Sequence, residues 1–135
     1  MKKRFLNLEE YGISRKRYKE LAGFCEQYPE WKRELAMKDS AIKSSQLTGM
    51  PVARKITDTT GDLAVRRAIL QEKCRLIEDV AREASEELYE YIIKSVCYEV
   101  TVAHLISYYE MPCGQAAFCD VRRYFFYLLS QRKQY

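Results

Sequence analysis

The residues with the greatest intrinsic reactivity are one histidine, His104, and five cysteines, Cys25, Cys74, Cys97, Cys113 and Cys119. A nucleophilic thiol needs a base within hydrogen-bond reach, and Cys97, seven residues before His104, is the one cysteine that a helix would bring to the same face. Cys97, His104, Cys113 and Cys119 are also the right ligand types for zinc, but no spacing among them matches a metal knuckle. The cysteines form an odd set without close pairs, which reads as reduced thiols filling a core. Glycines are scattered and build no phosphate-cradling loop. The chemistry-bearing residues therefore predict no metal, no cofactor and no enzyme.

A second set of residues suits recognition rather than reaction. Residues 101–133 read TVAHLISYYEMPCGQAAFCDVRRYFFYLLSQRK. A short helix from Thr101 to about Tyr108 is predicted to stop at Glu-Met-Pro-Cys-Gly, because the residue before a proline is pushed out of helical geometry. A longer helix then runs from Gln115 to Arg132. Short helix, tight turn with an apolar residue, and arginine-bearing second helix outline a DNA-reading helix-turn-helix. Projected at 100° per residue, Phe118, Val121, Phe125, Leu128 and Leu129 form the core side of the second helix, and Ala116, Cys119, Asp120, Arg123 and Tyr127 the other. The candidates for base readout are Gln115, Ala116, Cys119 and Arg123. Gln suits adenine, Arg suits guanine, and small residues permit close approach. Arg122, at the core boundary, and Arg132 and Lys133, at the helix end, are placed to meet phosphates. Asp120 on the same face suits only a cytosine amine. Eleven tyrosines are an unusual number; Tyr98, Tyr108, Tyr109, Tyr124 and Tyr127 are expected mainly in core and boundary packing.

Periodicity elsewhere indicates helices that would position this unit. Ser14 precedes RKRYKELAGFCEQY, where Tyr18, Leu21, Ala22, Cys25 and Tyr28 recur at three- and four-residue spacing, which predicts an amphipathic helix with a serine cap. Pro29 opens a second helix, PEWKRELAMKDSAIKS, whose Trp31, Leu35 and Ile42 could face the first in a helical hairpin. Ser44 to Asp62 collects Ser, Thr, Gly and Pro and reads as a long polar loop, with Arg54 and Lys55 available to a partner. From Leu63 to about Ser95 a heptad stripe appears: Leu63, Leu70, Ile77, Ala84 and Tyr91, interleaved with Arg67, Cys74, Ala81, Leu88 and Ser95. Packing within one chain and a homodimer seam through residues 63–95 are both compatible with it. Ser85, followed by Glu86 and Glu87, predicts a break and a fresh helix start. No strand-like alternation occurs. The expected architecture is all-α: residues 1–62 give an N-terminal helical hairpin and polar loop, and residues 63–135 a long central helix plus the C-terminal helix-turn-helix.

Composition agrees with a folded chain, with 47% hydrophobic and 31% charged residues in 135. The first 56 residues carry 13 Lys/Arg against 7 Asp/Glu, residues 57–99 carry 6 against 10, and the remainder 4 against 2. Either end could face a polyanion and the middle could not. Neither a membrane-spanning run nor a secretory leader is visible, so the expected location is the cytoplasm, with no membrane partner.

The segment YYEMPCGQAAFCDVRRYFFYLLSQRK resembles the C-terminal signature of small phage-encoded regulators of the RinA/ArpU type, and CEQYPEWKREL followed by a polar stretch and a long helix resembles their N-terminal layout. The resemblance implies a transcriptional regulator of phage late genes acting in the host cytoplasm, with a helix-turn-helix like the promoter-reading region of sigma factors. By position, Arg122 and Arg123 would be its basic pair, Met111-Pro112 its turn, and Phe118 and Phe125 the core of its reading helix. Double-stranded DNA is the implied partner. Two alternatives fit the residues. One is a phage protein that binds host RNA polymerase or inhibits a nucleic-acid-guided defence nuclease through its aromatic helices. The other is a DNA-packaging adaptor resembling small terminase subunits, in which the helix-turn-helix accompanies a ring-forming helical segment.

Overall fold

A computed structural model describes residues 8–37 and 53–133, with side chains from Glu10 to Met37 and from Gly61 to Lys133. The fold is all-α, and no strand occurs among the described residues. A 3-10 turn at Leu8–Tyr11 leads into α1, Arg15–Glu26. Residues 28–37 form α2, and α3 is Ala53–Ala84. Then come α4, Tyr89–Tyr98, α5, Val102–Ser107, and α6, Gln115–Arg132.

Several boundaries follow from local chemistry. Ser14 caps α1, its Oγ accepting the Arg17 N–H at 3.1 Å. The break expected at Ser85 is present: α3 ends at Ala84 and the Ser85 Oγ accepts the Leu88 N–H at 3.1 Å. α4 stops at Glu99, whose left-handed backbone (φ 56°) lets its own N–H and that of Val100 turn back to the Lys94 carbonyl.

Contacts divide the chain into two compact units, Met1–Gln27 with Leu76–Tyr135, and Tyr28–Arg75. In the second, α2 and the earlier part of α3 are held by an Arg66–Glu34 ion pair at 2.5 Å. The Arg67 guanidinium also donates to the Leu35 carbonyl at 3.0 Å, and the Lys73 ammonium lies 5.3 Å from the Trp31 ring centre. In the first, α1 packs against both α4 and α6, and α5 against α6. Its core is built from Leu21, Cys25, Ile77, Val80, Ile92, Leu105, Phe118, Phe125, Phe126 and Leu129, all essentially without solvent contact. Each such large apolar side chain contributes about 1.5–3 kcal/mol by leaving water.

Two expectations are corrected. Residues 53–62, read as the end of a polar loop, are the start of α3; residues 44–52 and Ile42, and the side chains of Arg54 and Lys55, lie outside the described residues. Thr, Asp and Gly each disfavour a helix by less than about 1 kcal/mol, and a helix already nucleated downstream extends cheaply through them. The expected division at Asp62 is also not where the contacts fall, because α1 belongs with the C-terminal helices and α2 with α3. Periodicity marks the apolar face of α1, Leu21, Phe24 and Cys25, but not the neighbour that covers it. Along the heptad stripe, Leu70, Cys74, Ile77, Ala81 and Leu88 are buried within the chain, and Leu63, Arg67, Ala84, Tyr91 and Ser95 are half-buried. Among the described side chains of α3, the exposed large apolar ones, Val65 and Ile69, lie off the stripe.

Candidate nucleic-acid interface

The turn between α5 and α6 is assembled from a few fixed points. Thr101 caps α5, its Oγ1 accepting the His104 N–H at 3.2 Å. After Ser107 the chain leaves the helix, and Glu110 adopts a left-handed conformation (φ 53°) that reverses its course. Met111, held out of helical geometry by Pro112, sends its side chain into the core and its N–H to the Leu105 carbonyl at 3.0 Å. Gly114 then starts α6 without any side-chain cap, and its carbonyl accepts the Phe118 N–H at 3.0 Å.

The outcome is a helix whose two ends have different surroundings. Gln115, Ala116 and Ala117 are all exposed, whereas Phe118, one residue later, is fully buried. The first-turn N–H groups of a helix have no partner within it, so an exposed, small-residue first turn can approach phosphates or base edges closely. Gln115 and Ala116, two of the residues expected to read bases, lie in this exposed turn.

The other candidates are placed differently. Cys119 is half-buried, and Arg123 donates to the Asp120 carboxylate at 2.7 Å with its Nε sealed from water and unpaired. Arg122 folds inward, giving a hydrogen bond to Ser95 Oγ at 2.7 Å and laying its guanidinium 5.5 Å from the Phe118 ring centre. Arg132 pairs with Glu83, and the Lys133 ammonium sits 5.0 Å from the Phe24 ring centre. The reason lies in how much of α6 is covered. Phe126, absent from the expected core face, is buried edge-on against Tyr18 of α1, and Tyr127 meets Tyr11 at 5.1 Å. With α1 on this second side, side chains that a single-faced projection leaves in water acquire neighbours. Val121 and Leu128 move the other way, to half-buried positions.

Four of the tyrosines expected in packing are instead on the surface. Tyr98, Tyr108, Tyr109 and Tyr124 are exposed, Tyr108 by 69%. His104 stacks on Tyr108 with ring centres 5.1 Å apart, and Tyr109 stands edge-on to both. The Lys94 ammonium lies 5.0 Å from the Tyr109 ring centre. The signal that could have found this set is the His104–Tyr108 spacing of four, which puts two rings on one side of a short helix.

The thiols do not gather around His104, and among the described residues no three His, Cys, Asp or Glu side chains form a group that could hold a metal ion. Cys25 and Cys97 meet in the core, where their mutual hydrogen bond, followed by burial, pushes the Cys25 thiol well above its ordinary range. Burial also raises Cys113, with Glu87 adding to the effect. Among the described residues no helix is long and apolar enough to cross a membrane. No family model, curated protein or solved structure matches this chain.

Proposed function

We propose that the protein binds double-stranded DNA through α5 and α6, with the first turn of α6 reading the groove. The observation that carries this reading is the exposed, uncapped start of α6, Gln115 to Ala117, set behind a left-handed turn that Met111 anchors in the core. In a helix-turn-helix the second helix presents its N-terminal residues to base edges, and Gln115 has the paired donor and acceptor that adenine requires. The likeness of the α5–α6 segment to RinA/ArpU-type regulators supports a role in controlling phage late transcription. Gln115 and Ala116 are the readout positions; Arg122 and Arg123 chiefly hold α6 in place.

A mobility-shift titration with genomic fragments at 50 and 200 mM salt tests this proposal. Two phosphate contacts alone weaken duplex binding about tenfold over that rise in salt. Binding that is absent, or indifferent to salt, rejects the reading.

The stacked His104, Tyr108 and Tyr109 favour a second reading, in which this surface holds a host protein such as RNA polymerase. Exposed tyrosines clustered on a short rigid element are typical anchors of protein interfaces. Co-elution with purified polymerase, lost in Tyr108→Ala/Tyr109→Ala, supports that reading; no co-elution rejects it.

A further inference from the structure

The surface of α5 differs from the other helices of its unit in what it leaves in water. From Val102 to Tyr109 only Leu105 is buried, while Ile106, Tyr108 and Tyr109 are large side chains exposed on and just after a six-residue helix. Large apolar and aromatic groups gathered in solvent mark a contact surface. The charge there is also distinct. The chain as a whole carries +4, yet from Lys94 to Gly114 the charged residues, the histidine aside, are one lysine, Lys94, against two glutamates, Glu99 and Glu110, a balance of −1.

Glu99 and Glu110 flank α5 on either side. Both are exposed, and neither forms an ion pair among the described residues. They are also the two non-glycine residues with positive φ among the described residues, at 56° and 53°. That backbone region suits glycine or asparagine and strains a glutamate, so the turns themselves gain nothing from these carboxylates. Tyr108 supplies an open ring between them. One of its faces is stacked on His104, with planes 10° apart, and Tyr109 stands edge-on with ring centres 4.9 Å apart. Tyr108 is nonetheless 69% exposed, which leaves the face away from His104 to solvent. The face of an aromatic ring attracts cations, and the Lys94 ammonium 5.0 Å from the Tyr109 ring centre is one such pairing already made within the chain.

We infer that α5 is the docking site for an arginine side chain of a protein partner, which lies flat on the open face of Tyr108 with Glu110, two residues further on, as its counter-charge. The inference deepens the second reading above by naming the chemistry that this surface takes from its partner. Arginine suits the site better than lysine because its planar, weakly hydrated guanidinium stacks on a ring. Glu99 adds to the attraction, since α5 is only about 9 Å long, within the distance over which charges act at ordinary salt. A single-stranded nucleic acid suits it less well. Its bases would stack on the same ring, but its phosphates would meet two unpaired carboxylates.

The test titrates the full chain, followed by NMR, with a capped Gly-Arg-Gly-Gly-Arg-Gly peptide, with the same peptide carrying citrulline for both arginines, and with an eight-residue oligothymidylate. Citrulline keeps the planar shape and loses the charge. The arginine peptide should shift the signals of His104, Tyr108 and Tyr109, and the citrulline peptide should bind about tenfold more weakly. Glu99→Gln/Glu110→Gln keeps both side-chain lengths and should lower affinity for the arginine peptide about threefold, with the melting temperature unchanged. Equal binding of the two peptides, or no shift with either, overturns the inference. Oligothymidylate that shifts these rings where the arginine peptide does not overturns it in favour of a nucleic acid. Self-association that moves the same signals without any peptide overturns it in favour of a second copy of the chain. Polymerase co-elution that depends on Tyr108 and Tyr109, in a chain that the arginine peptide does not shift, overturns the inference and leaves the second reading standing. Arginine-peptide binding without polymerase co-elution supports the inference and removes polymerase as the partner.

Discussion

Glu110→Gly isolates the backbone feature on which the α5–α6 turn depends. Glu110 sits at φ 53°, in the left-handed region, and its side chain is exposed. An L-residue there is strained by about 1–2 kcal/mol because Cβ crowds the following carbonyl. Glycine is free of that strain but has more unfolded-state freedom to lose, which offsets roughly 0.5–1 kcal/mol. The net expectation is a stabilisation of about 0.5–1 kcal/mol, or a melting temperature higher by about 2–4 °C for a chain of this size. Glu110→Ala is the control, since it removes the same carboxylate but keeps Cβ, and should stay within about 0.5 kcal/mol of the parent. Scanning calorimetry of the three proteins side by side separates the backbone effect from the charge effect. If Glu110→Gly melts below the parent while Glu110→Ala does not, the turn is not left-handed at this position, and the path that seats Met111 in the core is wrong.

Gly61→Ala should stabilise the protein by about 1 kcal/mol, because the site is in the interior of α3 with open space around the added methyl; no gain in a urea melt would return residues 53–62 to a loop. In the native state a thiol-disulfide exchange reagent should react quickly with at most Cys113 and Cys119, and with Cys25, Cys74 and Cys97 only after unfolding. Rapid reaction of all five would contradict the core. Arg122→Ala should destabilise by about 1–2 kcal/mol through loss of the Ser95 hydrogen bond and the cover over Phe118, yet change duplex affinity little. A large affinity loss with unchanged stability would restore Arg122 as a phosphate contact.

Much of the fold was legible because its signals are local. The Ser14 cap, the Ser85 break and the proline at 112 are each decided by one or two neighbouring residues, and each is where periodicity and capping chemistry put it. What escaped the sequence depends on distant partners. Nothing in RKRYKELAGFCEQY states that α1 covers α6, and that one contact buries Phe126 and draws Arg17 onto Ser130. The basic residues of α6 that a helical projection places in water are committed to Asp120, one turn back on the same helix, and to Glu83 of α3. The exposed tyrosines escaped for the opposite reason. Aromatic content suggests burial, but α5 is only six residues long and buries only Leu105, so the rings after it have no core to enter.

Ala116→Glu, followed by fluorescence anisotropy with a duplex that the parent binds, tests the role of α6 most directly. A carboxylate in the first turn favours the helix end, so the variant should fold as well as the parent. In a groove it would face phosphates, and affinity should fall at least about tenfold. A folded variant that binds the duplex as tightly as the parent would place the contact surface somewhere other than the start of α6.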